Sequence, residues 1–257
     1  MDTSYERRFG GIARLYGHSA LARFRTAHVC VIGVGGVGSW AAEALARSGI
    51  GELTLIDLDD ICVSNTNRQL PALDGHFGRA KVAALAERIL AINPECKVHA
   101  VEDFVVEDSL AEYLGRGYDH VIDAIDSVRI KAQIIAWCRR HKVPLVTTGG
   151  AGGQTDPTRI TLDDLSRTTE DPLASKVRSL LRREFGFPKG DRKFGIDCVY
   201  STEPLVYPQA DGTVCARKPP GEAGGRLDCQ GGFGAAVVVT GSFGFAAAAR
   251  VLRRLAG

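Results

Sequence analysis

Seven cysteines are scattered through the 257 residues, and no two of them are spaced C-x-x-C. The odd count argues against a closed disulfide framework, and the spacing against a four-cysteine zinc site. Zinc is therefore not expected, and reduced thiols in a cytoplasmic compartment are the simplest fit. A secretory leader is also lacking, because residues 1–20 carry Glu6, Arg7, Arg8 and Arg14 and no apolar run. Charge of one sign is not in excess either: 32 Lys and Arg against 30 Asp and Glu leave +2, which excludes a uniformly basic nucleic-acid coat. There is no internal repeat, and the low-complexity content is confined to the glycine-rich residues 221–234. Charged side chains vanish over residues 233–249, which is near the lower limit for a membrane span. That stretch is rich in alanine, holds Gly234, Gly241 and Gly244, and runs into Arg250, Arg253 and Arg254. It reads as a buried or dimer-facing helix, not a membrane anchor.

What is present suffices for a full core, since 45% of the residues are hydrophobic. Residues 28–33 (HVCVIG) form a short β-branched run ending in glycine, and residues 39–48 read as a helix rich in alanine and leucine. The rhythm repeats. Strand 52–57 is followed by helix 79–92, which Asn93-Pro94 terminates; strand 97–101 is followed by a short helix over 109–114. Strand 120–125, helix 128–140 and strand 143–148 complete the series. Five such strands predict an α/β, doubly wound, Rossmann-like and mostly parallel sheet with helices on both faces. After the glycine cluster 149–153 the alternation stops, so residues 1–150 are expected to form the nucleotide-binding unit and 151–257 a smaller substrate-facing region with the C-terminal helix, continuous with the same fold. Residues 171–194 are predicted as a basic helical stretch and 197–207 as extended chain. Residues 166–193 hold eight basic and four acidic side chains, a local balance of +4 against +2 for the whole chain. Positive charge is thus gathered where a polyanion could dock, the other reading of the same stretch being a solvated helix face.

The sequence Gly33-Val34-Gly35-Gly36-Val37-Gly38 fits G-x-G-x-x-G directly after a strand and before a helix. Glycines let the backbone approach phosphate and aim helix N-terminal amides at its charge. Asp57 closes the second strand 24 residues after Gly33, where its carboxylate can accept hydrogen bonds from ribose hydroxyls. A nicotinamide dehydrogenase would need no more than this. The chain continues, however, with Ser64-Asn65-Thr66-Asn67-Arg68-Gln69 and then Lys81. Two cations and an amide beside one glycine loop favour chemistry at phosphate, where departing pyrophosphate must be stabilised. Asp123 and Asp126 end the fourth strand at the carboxyl edge of the sheet, and the hard oxygens of Asp126 suit Mg2+.

Taken together, GVGGVGSW, LIDLDDICVSNTNRQ, GRAKV and DAID resemble the superfamily of ubiquitin-activating enzymes and their bacterial adenylating relatives, over residues 7–150. The resemblance implies an ATP-dependent adenylating enzyme. It further implies that Asp57 and Asp59 handle ribose and metal, that Asn65, Arg68 and Lys81 contact the phosphates, that Asp126 lies by magnesium and the α-phosphate, and that Gln69 and Asp123 belong to the nucleotide-binding set. Arg14, in RFGGIARLYG, matches an arginine that reaches the partner subunit's ATP site in this family, which implies a homodimer. RFGGIARLYG, NTNRQ, TTGGAGGQTDPTRI and VYSTEP are similar to the tRNA-modifying branch that dehydrates threonylcarbamoyladenosine beside the anticodon. That likeness spans nearly the whole chain and implies tRNA as substrate, with the basic residues 166–193 helping to hold it.

The alternative is an adenylyltransferase for the tail of a ubiquitin-like or sulfur-carrier protein, and a sulfurtransferase or sulfur-acceptor protein is a further candidate partner. A nicotinamide-binding redox protein is a third reading from a different class. Some relatives use a nucleophilic cysteine; here Cys198 and Cys229 each follow an aspartate, which raises a thiol pKa instead of activating it. Both are expected to be structural or incidental.

Overall fold

The computed structural model describes residues 4–209, 211–216 and 233–257. Its seven-stranded sheet comprises β1 (His28–Ile32), β2 (Glu52–Ile56), β3 (Lys97–Val101), β4 (His120–Asp123), β5 (Leu145–Thr148), β6 (Ile160–Asp164) and β7 (Asp197–Ser201). The spatial order is β3-β2-β1-β4-β5-β7-β6, and every neighbouring pair is parallel except β6 and β7. The expected α/β doubly wound architecture is therefore present. The chain moves outward from β1 to β3 and then returns to place β4 against the other side of β1. Loops leaving β1 and β4 diverge at that reversal, which opens a crevice at the carboxyl ends of the strands.

Helices among the described residues are α1 (Tyr5–Tyr16), α2 (His18–Thr26), α3 (Gly38–Arg47), α4 (Lys81–Ile92), α5 (Leu110–Leu114), α6 (Val128–His141), α7 (Pro172–Glu184) and α8 (Val237–Ala256). They explain why β1 is an unbroken apolar run. Val29 and Val31 enter one core with Leu45, Leu85 and Phe243, while Cys30 and Ile32 enter the core on the opposite face with Ile134, Val177 and Leu181. Alternation along the strand supplies both faces at once.

Three expectations are corrected. The basic helix spans only Pro172–Glu184, capped by the Asp171 side chain on the Ala174 amide, with proline in its first turn. It stops because Gly186 and Gly190 take left-handed φ of 67° and 68°, and Pro188 between them has no N–H to donate. The extended segment contracts to β7, which inserts between β5 and β6, so residues beyond 150 complete the same sheet. The apolar helix begins at Val237 and runs on through three arginines. It buries Val239, Phe243, Ala247 and Val251, and Arg250 clamps Asp197 of β7 at 2.6 and 2.9 Å. Among the described residues no helix is long and apolar enough to cross a membrane. Helices α1 and α2 and strand β6 carry no signal that the sequence reading detects.

His120 of β4 is 2% exposed, and burial pushes its pKa down to about 4, so the folded state holds the ring neutral. The unfolded chain takes up a proton near pH 6.5. Stability from the neutral ring is thus complete above that pH and is lost as pH falls toward 4. We predict that the stability advantage of the native chain over His120→Gln, measured by urea unfolding, shrinks by about 3 kcal/mol between pH 7 and pH 4.

Candidate nucleotide site

At the reversal of strand order lies a cleft of about 760 Å³, lined by Gly33, Gly35, Gly36, Asp57, Asp59, Asn65, Arg68, Gln69, Lys81 and Asp126. Sterics at Gly38 fix its inner edge. A Cβ there would lie 1.8 Å from the Gly33 carbonyl oxygen, so only glycine lets the first turn of α3 settle onto the end of β1. The Val34 N–H donates to Asp57 Oδ2 at 2.8 Å, which fastens the loop to the end of β2. Backbone amides at the start of α3 are thereby held facing the cleft, a ready site for phosphate.

The charged groups come from separate elements. Lys81, at the first residue of α4, is buried and places Nζ 2.7 Å from Asp59 Oδ2 and 3.8 Å from Asp57 Oδ1. Arg68 donates to the Ser64 carbonyl at 2.9 Å and to Asn67 Oδ1 at 2.8 Å, and makes no ion pair among the described residues. Trp40 of α3 holds that loop by donating Nε1–H to the Arg68 carbonyl at 3.0 Å. Asn65 Oδ1 accepts from the Cys62 amide at 3.0 Å, and the buried Gln69 Oε1 has no partner among the described residues. Asp126, exposed just before α6, likewise has no ion pair among the described residues, so its oxygens are open to a hard cation.

One residue expected at the nucleotide stands elsewhere. Asp123 is completely buried below the cleft, where Lys131 Nζ approaches at 2.8 Å and Thr147 Oγ1 donates at 2.7 Å. It is the last residue of β4, and its side chain points beneath the sheet edge onto α6. Arg14, expected to serve a partner subunit's site, is exposed on α1 and does not line the cleft of its own chain. Cys198 is fully buried, and burial pushes its thiol pKa up; Cys229 lies outside the described residues. The cleft also takes Phe104, Val105, loop 149–152, Leu173 and Thr240, which the sequence reading did not assign to the nucleotide. The signal for Asp171-Pro172 as a helix start was present, but nothing local reveals that this start abuts the site.

Replacing Lys131 by methionine would leave Asp123 as an unpaired buried charge. The expected cost is about 3–5 kcal/mol of unfolding free energy, read from denaturant melts.

These features define a class: a doubly wound α/β nucleotide-binding fold with cations facing its glycine loop. The chain belongs to the ThiF family, whose description matches residues 5–257. It is 60% identical over 256 residues to a tRNA threonylcarbamoyladenosine dehydratase of Escherichia coli (strain K12), covering 99% of this chain and 96% of that one. It is 55% identical over 253 residues to the dehydratase of the same name from Haemophilus influenzae, covering 98% and 94%. A crystal structure of the E. coli tRNA N6-threonylcarbamoyladenosine dehydratase in complex with ATP superposes with a TM-score of 0.88 at 55% identity, covering 99% of this chain and 96% of that chain.

Proposed function

We propose that this chain uses ATP to dehydrate threonylcarbamoyladenosine in tRNA, closing a ring through an acyl-adenylate. The observation that carries the proposal is near full-length similarity to dehydratases of that name, one of which binds ATP in its crystal. A carrier-protein adenylyltransferase would share only the chemistry of the cleft. The extensive likeness beyond residue 150 favours the tRNA enzyme.

In this reading the phosphates lie along the glycine loop, and Asp57 and Asp59 meet the ribose and metal. A carboxylate oxygen of the threonylcarbamoyl group attacks the α-phosphorus, and the bond to pyrophosphate breaks. Lys81 and Arg68 offset the charge that gathers on the departing oxygens, while Asn65 and Gln69 orient the phosphates. Intramolecular attack on the acyl carbon then expels AMP. The net loss from the nucleoside is one water. Mg2+ held by Asp126 would neutralise phosphate charge during the first step. The unpaired carboxylate of Asp126 at the cleft supports that assignment.

Exposed Lys176, Arg183, Lys189, Arg192 and Lys193 on α7 and the following loop supply a surface for the tRNA backbone, so the region beyond residue 150 faces the substrate. Arg14 stands on the surface and away from its own cleft, as a residue serving a partner subunit's site must. The reduced thiols and the tRNA substrate fit a homodimer working in the cytoplasm.

Incubation with ATP and bulk tRNA should yield a nucleoside lighter by one water in mass spectrometry, and retention of full mass would defeat the reading. Arg68→Ala and Lys81→Ala are each expected to lower turnover by about 10²–10³ with the fold intact. A mixed dimer with Arg14→Ala in one subunit and Lys81→Ala in the other should keep one working site; complete inactivity would rule out a contribution across the dimer.

A further inference from the structure

Resting on the tRNA reading above, we propose that Asp171 is a positioning residue, which ties the start of the basic helix α7 to the cleft-lining loop 149–152 and thereby places the substrate carboxylate. One carboxylate makes both connections. Its Oδ1 accepts from the Ala174 N–H at 2.8 Å and caps α7, while its Oδ2 accepts from the Gly150 N–H at 3.0 Å. Gly150 lines the cleft together with Gly149, Ala151 and Gly152.

The fit is tight enough to dictate a residue type. A Cβ on Gly149 would fall 1.7 Å from Asp171 Oδ2, so the loop reaches the helix cap only because glycine stands there. The other side of that peptide is pinned as well, since the Gly149 N–H donates to the Val199 carbonyl of β7 at 2.8 Å. Leu173, in the first turn of α7, enters the cleft wall directly. Asp171 is 5% exposed, unlike a cap serving only its own helix at the surface. Burial raises its pKa, the Ala174 and Gly150 amides draw it back, and the Lys131 ammonium of α6 adds its attraction.

Side chains of helix α7 fasten the segments that flank it. Arg178 donates to the Thr168 carbonyl at 2.9 Å. Arg182 reaches the Pro188 and Gly190 carbonyls at 3.2 and 3.3 Å and stacks its guanidinium over Phe194. Those two arginines are engaged within the structure, whereas Lys176, Arg183, Lys189, Arg192 and Lys193 are exposed. A polyanion seated on α7 would be linked, through Asp171, to the loop 149–152 that lines the cleft.

The test uses the full chain with two variants. Asp171→Asn leaves a single acceptor oxygen, so one of the two bonds must go. Asp171→Ser keeps a good helix cap for Ala174 but is too short to hold Gly150 as well, which guards against simple unfolding. Melting temperature, ATP affinity in the absence of tRNA, and kcat and KM with ATP and tRNA are measured for each. The expected result is a modest drop in melting temperature and an ATP affinity close to the native chain, with kcat for tRNA dehydration lowered at least tenfold in both variants. Two outcomes overturn the proposal: kcat within twofold of native, or parallel losses of melting temperature, ATP affinity and kcat that mark general damage. If the native chain itself fails to dehydrate tRNA, the functional reading falls instead, and the two failures are distinguishable.

Discussion

Glycine at position 38 permits a backbone-to-backbone approach that any side chain would block, and the nucleotide site follows from it. With the first turn of α3 seated against the Gly33 carbonyl, the helix amides point past the end of β1 into the crevice where the strand order reverses. Everything that contributes charge is then arranged around that fixed edge. Asp57 holds the loop through Val34, Lys81 arrives on the first turn of α4, and Arg68 comes from a segment moored on Trp40 of α3. The core shared by α3 and α8 holds this edge from behind, as Leu45 and Phe243 belong to one cluster.

Beneath the cleft a second layer does the opposite kind of electrostatics. Asp123 and Lys131 are both buried and satisfy each other with help from Thr147, so they hold β4, β5 and α6 in place and offer nothing to a ligand. Above them, Lys81 meets Asp59 in partial solvent, and Arg68 and Asp126 have no ionic partner among the described residues. Charge that is spent on structure lies below, and charge left for phosphate lies at the surface of the cleft.

The alternating strands and helices up to residue 148 were legible because each carries a local period, and the glycine motif was legible because it falls between a strand and a helix. The cations were legible for a different reason: they follow the loop in a fixed order, and the fold gathers them in the cleft. Asp123 misled because its side-chain direction depends on a partner eight residues away on α6, which spacing alone does not specify. The length of α7 was overestimated because charge composition outweighed the Gly186, Pro188 and Gly190 breakers. Strand β6 and the cleft-lining loop 149–152 depend on long-range pairing with β7 and on Asp171, and no local pattern encodes those contacts.

The central claim is that a substrate carboxylate attacks the α-phosphorus of ATP in this cleft. Labelling the threonylcarbamoyl carboxylate of the tRNA with oxygen-18 and following the label through one round of turnover tests it most directly. Adenylation predicts that one labelled oxygen appears in AMP. Label recovered in orthophosphate would mean attack at the terminal phosphorus and would contradict the account.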